Sequence, residues 1–395
     1  MAIMIVVALS CLCPMAAQEV PDSVSSQNKN LTVSLITCYP GEEIYELCGH
    51  SAIRIRGEGI DSVWNYGIFD FSQPNFVYRF VKGETDYKGD AYPFEFFLPE
   101  YIYAGRKVVE QDLNLTPEEA EKLHQLLNIS VLPENAVYRY NYIKDNCSTR
   151  ILNQIDSAAG SAIIYPDSIR YGTFRNEMRA YHKNYPWYQF GIDVALGSGL
   201  DKKTDSREEM FSPMDMMRNV AAARFSDGRP LVKATRTLYQ GRSDVVLPPT
   251  PWWLSPLFWS WLVTLVIACV ITRNIMTRRL FYPLYSVWFL LLGLAGCLVA
   301  FLVFISVHES TSPNVLILWL NPCQLLFAIS AGWSRLRILS LTMAYYNIFV
   351  VGLLLLFTPW LTQSFNAAFF PLMISTVSLA ACYAIIDNKS SYKKR

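Results

Sequence analysis

The sequence predicts an α+β domain followed by a membrane domain that is entirely α-helical. The first observation is a change of composition: from Trp252 to Arg395 the only acidic residues are Glu309 and Asp387, and long apolar runs dominate. The second is that the preceding segment alternates strand-like runs with amphipathic helices. With 395 residues, 52% of them hydrophobic, the chain can hold both a folded domain and a membrane region.

The first 17 residues predict export from the cytoplasm. They form an apolar run that ends in the small residues Met15-Ala16-Ala17, which is typical of a signal peptide cleaved near Ala17. The positive charge that usually starts such a segment is missing. An uncleaved anchor is the alternative, but the apolar stretch is short for a membrane span.

Residues 18–246 form the predicted α+β domain. Helices are predicted from Thr116, which opens a capping box with Glu119, from Cys147 to about Gly160, and from Ser212 to about Arg224. Residues 165–206 are predicted to be rich in loops, and 247–251 (LPPTP) to be a stiff linker. Alternating apolar residues predict strands at Leu31–Thr37, Ser51–Arg56, Ser62–Phe69, Arg106–Leu115, Tyr138–Tyr142 and Leu231–Leu238.

Cys147 is a candidate nucleophile. It lies where a strand-like pattern changes to a helical one, so it is predicted in the first turn of a helix, with Asp145 or Asn146 as the N-cap. The free amide groups and the dipole at a helix N-terminus favour a thiolate over a thiol. A small buried cysteine at a strand–helix junction is the alternative, and a nearby base is needed to favour chemistry.

His50 is the candidate base. It is one of four histidines, and it lies between Gly49 and the predicted strand Ser51–Arg56. A histidine at the mouth of a strand, beside a residue that permits close backbone approach, can face a thiol on a neighbouring helix. An exposed histidine beside a turn is the alternative for this residue taken alone. His124 is interpreted as a surface or rim residue, and His182 as a structural one.

The sequence also limits the expected ligands. It shows neither the spacing of a metal site nor a glycine-rich phosphate loop, so we expect no cofactor and no metal. The net charge of +1, without blocks of like charge, argues against a nucleic-acid partner. Cys38 and Cys48 could pair in an oxidising compartment or stay reduced. The aromatic-rich segment 69–103 is interpreted either as core packing or as an apolar groove for acyl chains.

The motifs around both candidates resemble those of known cysteine enzymes. GHSAIRI (49–55), followed by Asn-Cys-Ser-Thr (146–149), is similar to the circularly permuted papain-like enzymes of the NlpC type. With CYPGEEIYELC, VWNYGIFDF and the membrane domain, about residues 31–386 resemble the lipoprotein N-acyltransferases of Bacteroides-type bacteria. The resemblance implies a permuted papain-like fold with Cys147 as nucleophile and His50 as base. It also implies a third polar residue, for which Asn65 is the choice and Asp61 the rival.

Residues 252–395 contain five stretches long and apolar enough to span a membrane, at about 252–271, 282–307, 315–332, 338–360 and 365–386. Basic residues at 273–279, 335–337 and 389–395 predict which ends are cytoplasmic by the positive-inside rule. The α+β domain would then be periplasmic at the bacterial inner membrane, and the C-terminus cytoplasmic. His308, in the predicted periplasmic loop 306–314, is a candidate for positioning a lipid head group or another substrate group.

Five helices fused to a thiol domain indicate a substrate that lives in the bilayer. The resemblance implies that Cys147 takes an acyl chain from a phospholipid as a thioester and passes it to the N-terminal amine of a lipoprotein. Asn146, Ser148 and His308 are expected to contact the substrate. The alternatives are a membrane-tethered NlpC-type amidase or endopeptidase acting on peptidoglycan, and a non-catalytic membrane receptor.

Overall fold

The computed structural model describes residues 31–392 except 58, 70–71, 73, 168 and 243–246, and for 388–392 it describes only the backbone. The predicted signal peptide, residues 1–17, lies outside the described residues, as do the predicted cytoplasmic residues Lys393, Lys394 and Arg395. The described chain is α+β up to residue 242 and helical from residue 252 onward.

An antiparallel sheet forms the centre of the N-terminal domain. The strands are β1 (Thr32–Cys38), β2 (His50–Gly57), β3 (Ile60–Ile68), β4 (Asp86–Pro93), β5 (Val108–Leu113), β6 (Val137–Arg139), β7 (Ile163–Ile164), β8 (Arg224–Phe225) and β9 (Val232–Tyr239). Within the described residues, seven of them form one sheet in the order β6-β4-β3-β2-β1-β5-β9, and β7 pairs with β8. Consecutive strands β1 to β4 are neighbours, so the strand that begins at His50 lies in the middle of the sheet.

Helices cover both faces of this sheet. They are α1 (Phe76–Lys82), α2 (Phe94–Tyr103), α3 (Pro117–Ser130), α4 (Pro133–Ala136), α5 (Cys147–Ala158), α6 (Phe174–Tyr181), α7 (Pro186–Ala195) and α8 (Pro213–Ala222). Apolar residues of α3, α5 and α8 share one core cluster with Ile53 and Ile55 of β2. Phe97 and Tyr101 of α2 pack with Ala52 on the other face.

Most of the predicted elements of this domain are confirmed, and two predictions are wrong. The predicted strand Tyr138–Tyr142 ends early, because the side chain of Asn141 accepts hydrogen bonds from the N–H groups of Ile143 and Lys144 and turns the chain. The predicted loop-rich segment contains α6 and α7, which begin at a Thr173 cap and at Pro186 respectively. The capping box of Thr116 and Glu119 forms as predicted.

The membrane domain contains α9 (Pro256–Thr277), α10 (Tyr282–Phe304), α11 (Gln324–Ser330), α12 (Arg337–Tyr346), a π-helical segment (Asn347–Val351), α13 (Gly352–Phe357) and α14 (Phe369–Tyr392). In the described part of the chain, four helical stretches are long and apolar enough to cross a membrane, at Pro256–Thr277, Tyr282–Phe304, Ser334–Trp360 and Phe369–Asp387. The predicted count of five helices is therefore not confirmed. The predicted third span, 315–332, is a 3-10 turn (Val315–Leu318) and the short helix α11.

This broken segment nevertheless runs the length of α10 in the opposite direction. The carbonyl of Leu302 near the end of α10 accepts from the Thr311 hydroxyl, and Gly296 and Gly293 lie against Asn321 and Leu325 respectively. Glycine permits these close approaches, because a Cβ atom at Gly296 would lie 2.3 Å from the carbonyl carbon of Asn321. The chain therefore passes α10 as a broken rather than a continuous helix.

Buried amides lie beside the break. Gln324 and Asn347 exchange two side-chain hydrogen bonds, and Gln324 also donates to the carbonyl of Trp319, a residue that lies before the helix begins. Non-helical backbone at membrane depth is tolerated where protein groups satisfy it, and these amides supply such partners.

The two domains are in direct contact. Val307 N donates to the carbonyl of Lys82 over 2.9 Å, and Asn314 donates to the carbonyl of Val194. The loop after Trp360 also contacts the N-terminal domain, since Asn366 donates to the buried Asp193 of α7. Both the 305–314 loop and the 361–368 loop therefore lie against the N-terminal domain.

Candidate active site

Cys147 is the first residue of α5, as predicted, and only 9% of its surface is exposed. Asn146 is the N-cap: its side-chain oxygen accepts from the N–H groups of Ser148 and Thr149, and the Thr149 hydroxyl accepts from the N–H of Asn146. This capping box fixes the first turn of the helix and holds the thiol against the sheet.

His50 is brought next to Cys147 by the start of β2. Gly49 precedes it with a φ of +83°, and a Cβ atom there would lie 2.6 Å from the carbonyl oxygen of Cys38. The site therefore favours glycine at position 49, and that backbone directs the histidine ring toward α5. The imidazole and the Cys147 thiol are close enough that each shifts the pKa of the other.

Asn65 lies on the other side of the His50 ring. The strand register pairs Asn65 with Ala52, two residues after His50, and Nε2 of His50 lies 2.6 Å from Oδ1 of Asn65. The amide nitrogen of Asn65 donates to the Tyr92 hydroxyl over 2.9 Å, which leaves Oδ1 as the acceptor for the ring. Nδ1 of His50 is then the nitrogen that remains for the thiol.

The rival Asp61 lies elsewhere. Both of its carboxylate oxygens accept from Arg54 at 2.7 Å, and it pairs with Arg56 at the far end of the same two strands. The structure therefore places Asn65 rather than Asp61 at the position predicted for the third residue.

The thiol and the imidazole shift each other's pKa in opposite directions. Burial raises the pKa of Cys147, but the charge and hydrogen bond of His50, together with bonds from the Ser51 N–H and from Ser148, lower it more. Burial lowers the pKa of His50, but the charge and hydrogen bond of Cys147 and the bond to Asn65 raise it more. Both shifts favour a thiolate beside an imidazolium, which is the reactive form of such a pair.

The two flanking residues have structural contacts that the sequence analysis did not predict. The amide nitrogen of Asn146 donates to the carbonyls of Tyr142 and Phe211, so with its two accepted bonds the side chain is fully used within the protein. Asn146 therefore caps the helix, and its predicted contact with the substrate stays a prediction. Ser148 is completely buried, and its hydroxyl lies 3.3 Å from that of Ser51.

A cleft of about 350 Å³ opens beside the His50 ring. Phe69, Tyr92 and Tyr101 of the aromatic-rich segment 69–103 are part of its wall. Its charged residues include Arg106, which pairs with Glu46 at 2.7 Å. The cleft is lined by Tyr45, Glu46, Gly49, His50, Asn65, Tyr66, Gly67, Ile68, Phe69, Tyr92, Glu100, Tyr101 and Arg106. A second cleft, of about 500 Å³, lies near Lys144 and Glu309. His50 lines the first cleft but not the second, and Cys147 is not among the lining residues of either.

The remaining histidines lie in other places. Nε2 of His308 is 2.8 Å from the carbonyl oxygen of Phe80, so this residue joins the two domains. His182 is buried and bonds to Gln189, in agreement with the predicted structural role, and His124 packs edge-on against Trp64. Residues 31–392, with the gaps given above, contain no cluster of three or more His, Cys, Asp or Glu side chains that could hold a metal ion.

Several residues of the site were not found by sequence reasoning. Tyr92 orients Asn65, Tyr101 stacks on His50 with parallel rings, and Gly67, at φ +88°, lies next to the Cβ of Cys147. The glycine after Asn65-Tyr66 was the one available signal, because a small residue near a strand end permits close approach. Cys38 and Cys48 are both free thiols, and Cys48 Sγ lies 3.1 Å from the Tyr142 hydroxyl.

Comparison with known proteins gives two matches to protein families. Residues 18–176 match the Lnb N-terminal periplasmic domain, and residues 249–391 match the Lnb transmembrane domain. No curated protein and no solved structure gives a significant match, so the permuted papain-like assignment stays a prediction. Because the two matches cover most of the chain, in the order in which the two domains occur, the chain belongs to the Lnb family.

Proposed function

We propose that this protein is a membrane-bound acyltransferase that moves a fatty acyl chain from a phospholipid, through a thioester on Cys147, to the N-terminal amine of a lipoprotein. Membership of the Lnb family supports a lipoprotein N-acyltransferase-like activity. The observation that carries the proposal is the Cys147–His50–Asn65 arrangement, in a domain that is joined to membrane helices. An acyl donor that resides in the bilayer explains why both domains belong to one chain.

The first step would load the enzyme. The Cys147 thiolate attacks the carbonyl carbon of a phospholipid ester, forming a C–S bond and a tetrahedral oxyanion. The backbone N–H of Cys147 is the candidate donor to that oxyanion, because the next two N–H groups of α5, those of Ser148 and Thr149, bind the side chain of Asn146. The ester C–O bond then breaks, and the His50 imidazolium gives its proton to the leaving alcohol of the lysophospholipid.

The second step would discharge the enzyme. Neutral His50 accepts a proton from the lipoprotein amine as its nitrogen attacks the thioester. A C–N bond forms and the C–S bond breaks, which returns Cys147 as the thiolate and His50 as the imidazolium. Asn65 would keep the ring in one orientation through both steps.

We also propose the domain boundaries and the orientation. Residues 18–246 would be periplasmic, 247–251 a linker, and 252–395 the domain in the inner membrane with a cytoplasmic C-terminus. Contacts of the 305–314 and 361–368 loops with the N-terminal domain support this arrangement. Reporter fusions after Arg279 and Arg337 should be cytoplasmic, and fusions at Ser312 and Gln363 periplasmic. A cytoplasmic reporter at Ser312 would contradict it.

The direct test of the chemistry is to isolate the thioester. Purified enzyme that is given labelled phospholipid and no acceptor should gain one acyl group on Cys147, which neutral hydroxylamine removes and a lipoprotein amine accepts. Cys147→Ala should not load, and His50→Ala should load slowly at neutral pH but recover partly at higher pH, where a thiol ionises unaided. His124→Ala is the matched control and should load normally.

Three outcomes would contradict the proposal. Label mapped to a residue other than Cys147 would exclude the thioester on this thiol. Labelling of Cys147 by peptidoglycan fragments in place of lipid would favour the hypothesis of an amidase or endopeptidase. Full activity of Cys147→Ala in cells would favour a receptor.

A further inference from the structure

The helix α1 exposes a cluster of apolar side chains on the surface of the N-terminal domain. Val77 is 73% exposed, Tyr78 54% and Phe80 48%. Single exposed apolar residues are common, but three within four positions of one helix form a patch that usually contacts another molecule or a membrane.

The position of α1 indicates which of these it contacts. The end of α1 joins the end of the membrane helix α10: the Tyr78 ring lies 6.0 Å from that of Phe301, and the Ser306 hydroxyl donates to the carbonyls of Val81 and Lys82. The last residues of α10 and those that follow, including Phe304 and Ile305, are themselves exposed and apolar. The exposed face of α1 is thus continuous with the surface of a helix that is long and apolar enough to cross a membrane.

A row of aromatic rings leads from α1 to the candidate active site. Phe80 stacks with Phe76, and Phe76 with Phe69, each pair with ring centroids 6.1 Å apart. Phe69 then packs edge-on against Tyr45 at 5.7 Å. Phe69 and Tyr45 both line the cleft beside His50, so apolar surface connects the end of α10 with that cleft.

We propose that the α1 face of Val77, Tyr78 and Phe80 rests in the outer leaflet of the membrane, and that the row Phe80–Phe76–Phe69 guides a phospholipid acyl chain from the bilayer to the cleft. The second half of this inference rests on the proposed phospholipid donor, whereas the membrane contact of α1 does not. Burial of these side chains among acyl chains removes apolar area from water, which favours the contact.

The membrane contact is tested by photo-crosslinking. Benzoylphenylalanine is incorporated at Val77 in the Cys147→Ala background, so that no thioester can carry label, and the full-length protein is placed in vesicles of radioactive phosphatidylethanolamine. Illumination should attach labelled lipid at this position. The same probe at Lys122, an exposed residue of α3 that lies on the side of the sheet occupied by α5, should attach little. No lipid at Val77, equal amounts at both positions, or a cross-link to another protein would overturn the proposal.

The guiding role is tested by two acyl donors. Val77→Glu should slow the loading of Cys147 from vesicle phospholipid by about tenfold, because a carboxylate resists immersion at the membrane surface. Loading from a short-chain ester that dissolves in water should not change, and Lys122→Glu should change neither rate. Equal effects on both donors, or no effect on either, would overturn the guiding role. If wild-type enzyme loads from neither donor, the proposed function fails, and the cross-linking result still decides the membrane contact.

Discussion

Nε2 of His50 lies 2.6 Å from Oδ1 of Asn65, across two paired strands of the central sheet. The strand that carries Asn65 also pairs with β4. The hydroxyl of Tyr92 on β4 accepts a hydrogen bond from the amide nitrogen of Asn65. The ring orientation is therefore fixed by three neighbouring strands rather than by a mobile loop. For the proposed role of His50 as base, a ring that is held in this way needs little reorganisation before it exchanges a proton with the thiol.

Asn65→Ala should lower the rate of Cys147 acylation by about 10- to 100-fold, which is less than the effect of His50→Ala, since general acid–base catalysis itself contributes about 10²- to 10⁴-fold. The loss should appear in the rate constant of a single turnover rather than in the binding of the donor. Tyr92→Phe is the matched control: it removes one hydroxyl that orients Asn65 and should cost less than Asn65→Ala. An Asn65→Ala enzyme as fast as wild type would show that the 2.6 Å contact has no role in catalysis.

The β2–β3 hairpin, which carries His50 and Asn65, was predictable from the sequence because its signals are local. Gly57 and Gly59 mark the turn, and the alternation of apolar residues on both sides fixes which residues share a face. The choice between Asn65 and Asp61 was not settled, because it depends on Arg54, which binds Asp61 and also approaches Glu110 of a strand far along the chain. Such a long-range ion pair leaves no local pattern in the sequence.

The pH dependence of Cys147 alkylation should reveal the thiolate. Because its pKa lies below the ordinary thiol value, iodoacetamide should react with Cys147 at a pH at which a free cysteine is largely protonated. His50→Ala should move the midpoint of the alkylation profile to higher pH, since the charge and hydrogen bond that lower the pKa are lost. Mass spectrometry of each cysteine peptide measures this. Cys48 is an internal control, because burial raises its pKa to about 12.

The same shifts give the direction of the pH limits of acyl loading. The acid limb follows protonation of Cys147 and should lie below the ordinary thiol pKa. The alkaline limb follows loss of the His50 proton and should lie above the ordinary imidazole pKa, because that pKa is raised. An alkylation midpoint of wild-type Cys147 at or above that of a free cysteine would contradict the ion pair.

Glu177→Gln should stabilise the N-terminal domain. Glu177 is completely buried in α6, and burial first, then the charge of Asp215, raise its pKa to about 10. The folded protein therefore holds this carboxyl neutral at pH 7, whereas the unfolded chain ionises it near its ordinary pKa. Ionisation favours the unfolded state increasingly as pH rises from that ordinary value toward 10, so stability is lost over this interval.

Glutamine has nearly the same shape as the neutral acid and cannot ionise. The gain in Tm from Glu177→Gln should thus be small at about pH 4 and grow toward about pH 8, where the difference in protonation is larger. Thermal unfolding in detergent at several pH values measures it. Glu118→Gln, at an exposed position of α3, should change Tm little at any of them. A loss of Tm that does not depend on pH would show that Glu177 is ionised or that its shape alone matters.

The membrane domain was less predictable than the β2–β3 hairpin. The length of the apolar stretches in the sequence was enough to locate the helical regions. Hydropathy does not, however, distinguish a continuous helix from a broken one that is buried by other helices. The helix α11 begins only after Pro322, because a proline cannot continue a helix from the residues before it. The hydrogen bonds between the side chains of Gln324 and Asn347 satisfy polar groups near the break. They join positions 23 residues apart, so no local sequence pattern predicts them.

Gly296→Ala should destabilise the membrane domain, and Gly352→Ala should not. A Cβ atom at position 296 would lie 2.3 to 2.5 Å from backbone atoms of Asn321, which cannot move aside without displacing the broken segment. Such overpacking usually costs about 1–3 kcal/mol. At Gly352 a Cβ atom would meet nothing within 4 Å, and alanine favours the helix. Thermal unfolding of the purified proteins in one detergent measures both. Equal Tm values for the two variants would show that the close contact of α10 with Asn321 does not hold the broken segment in place.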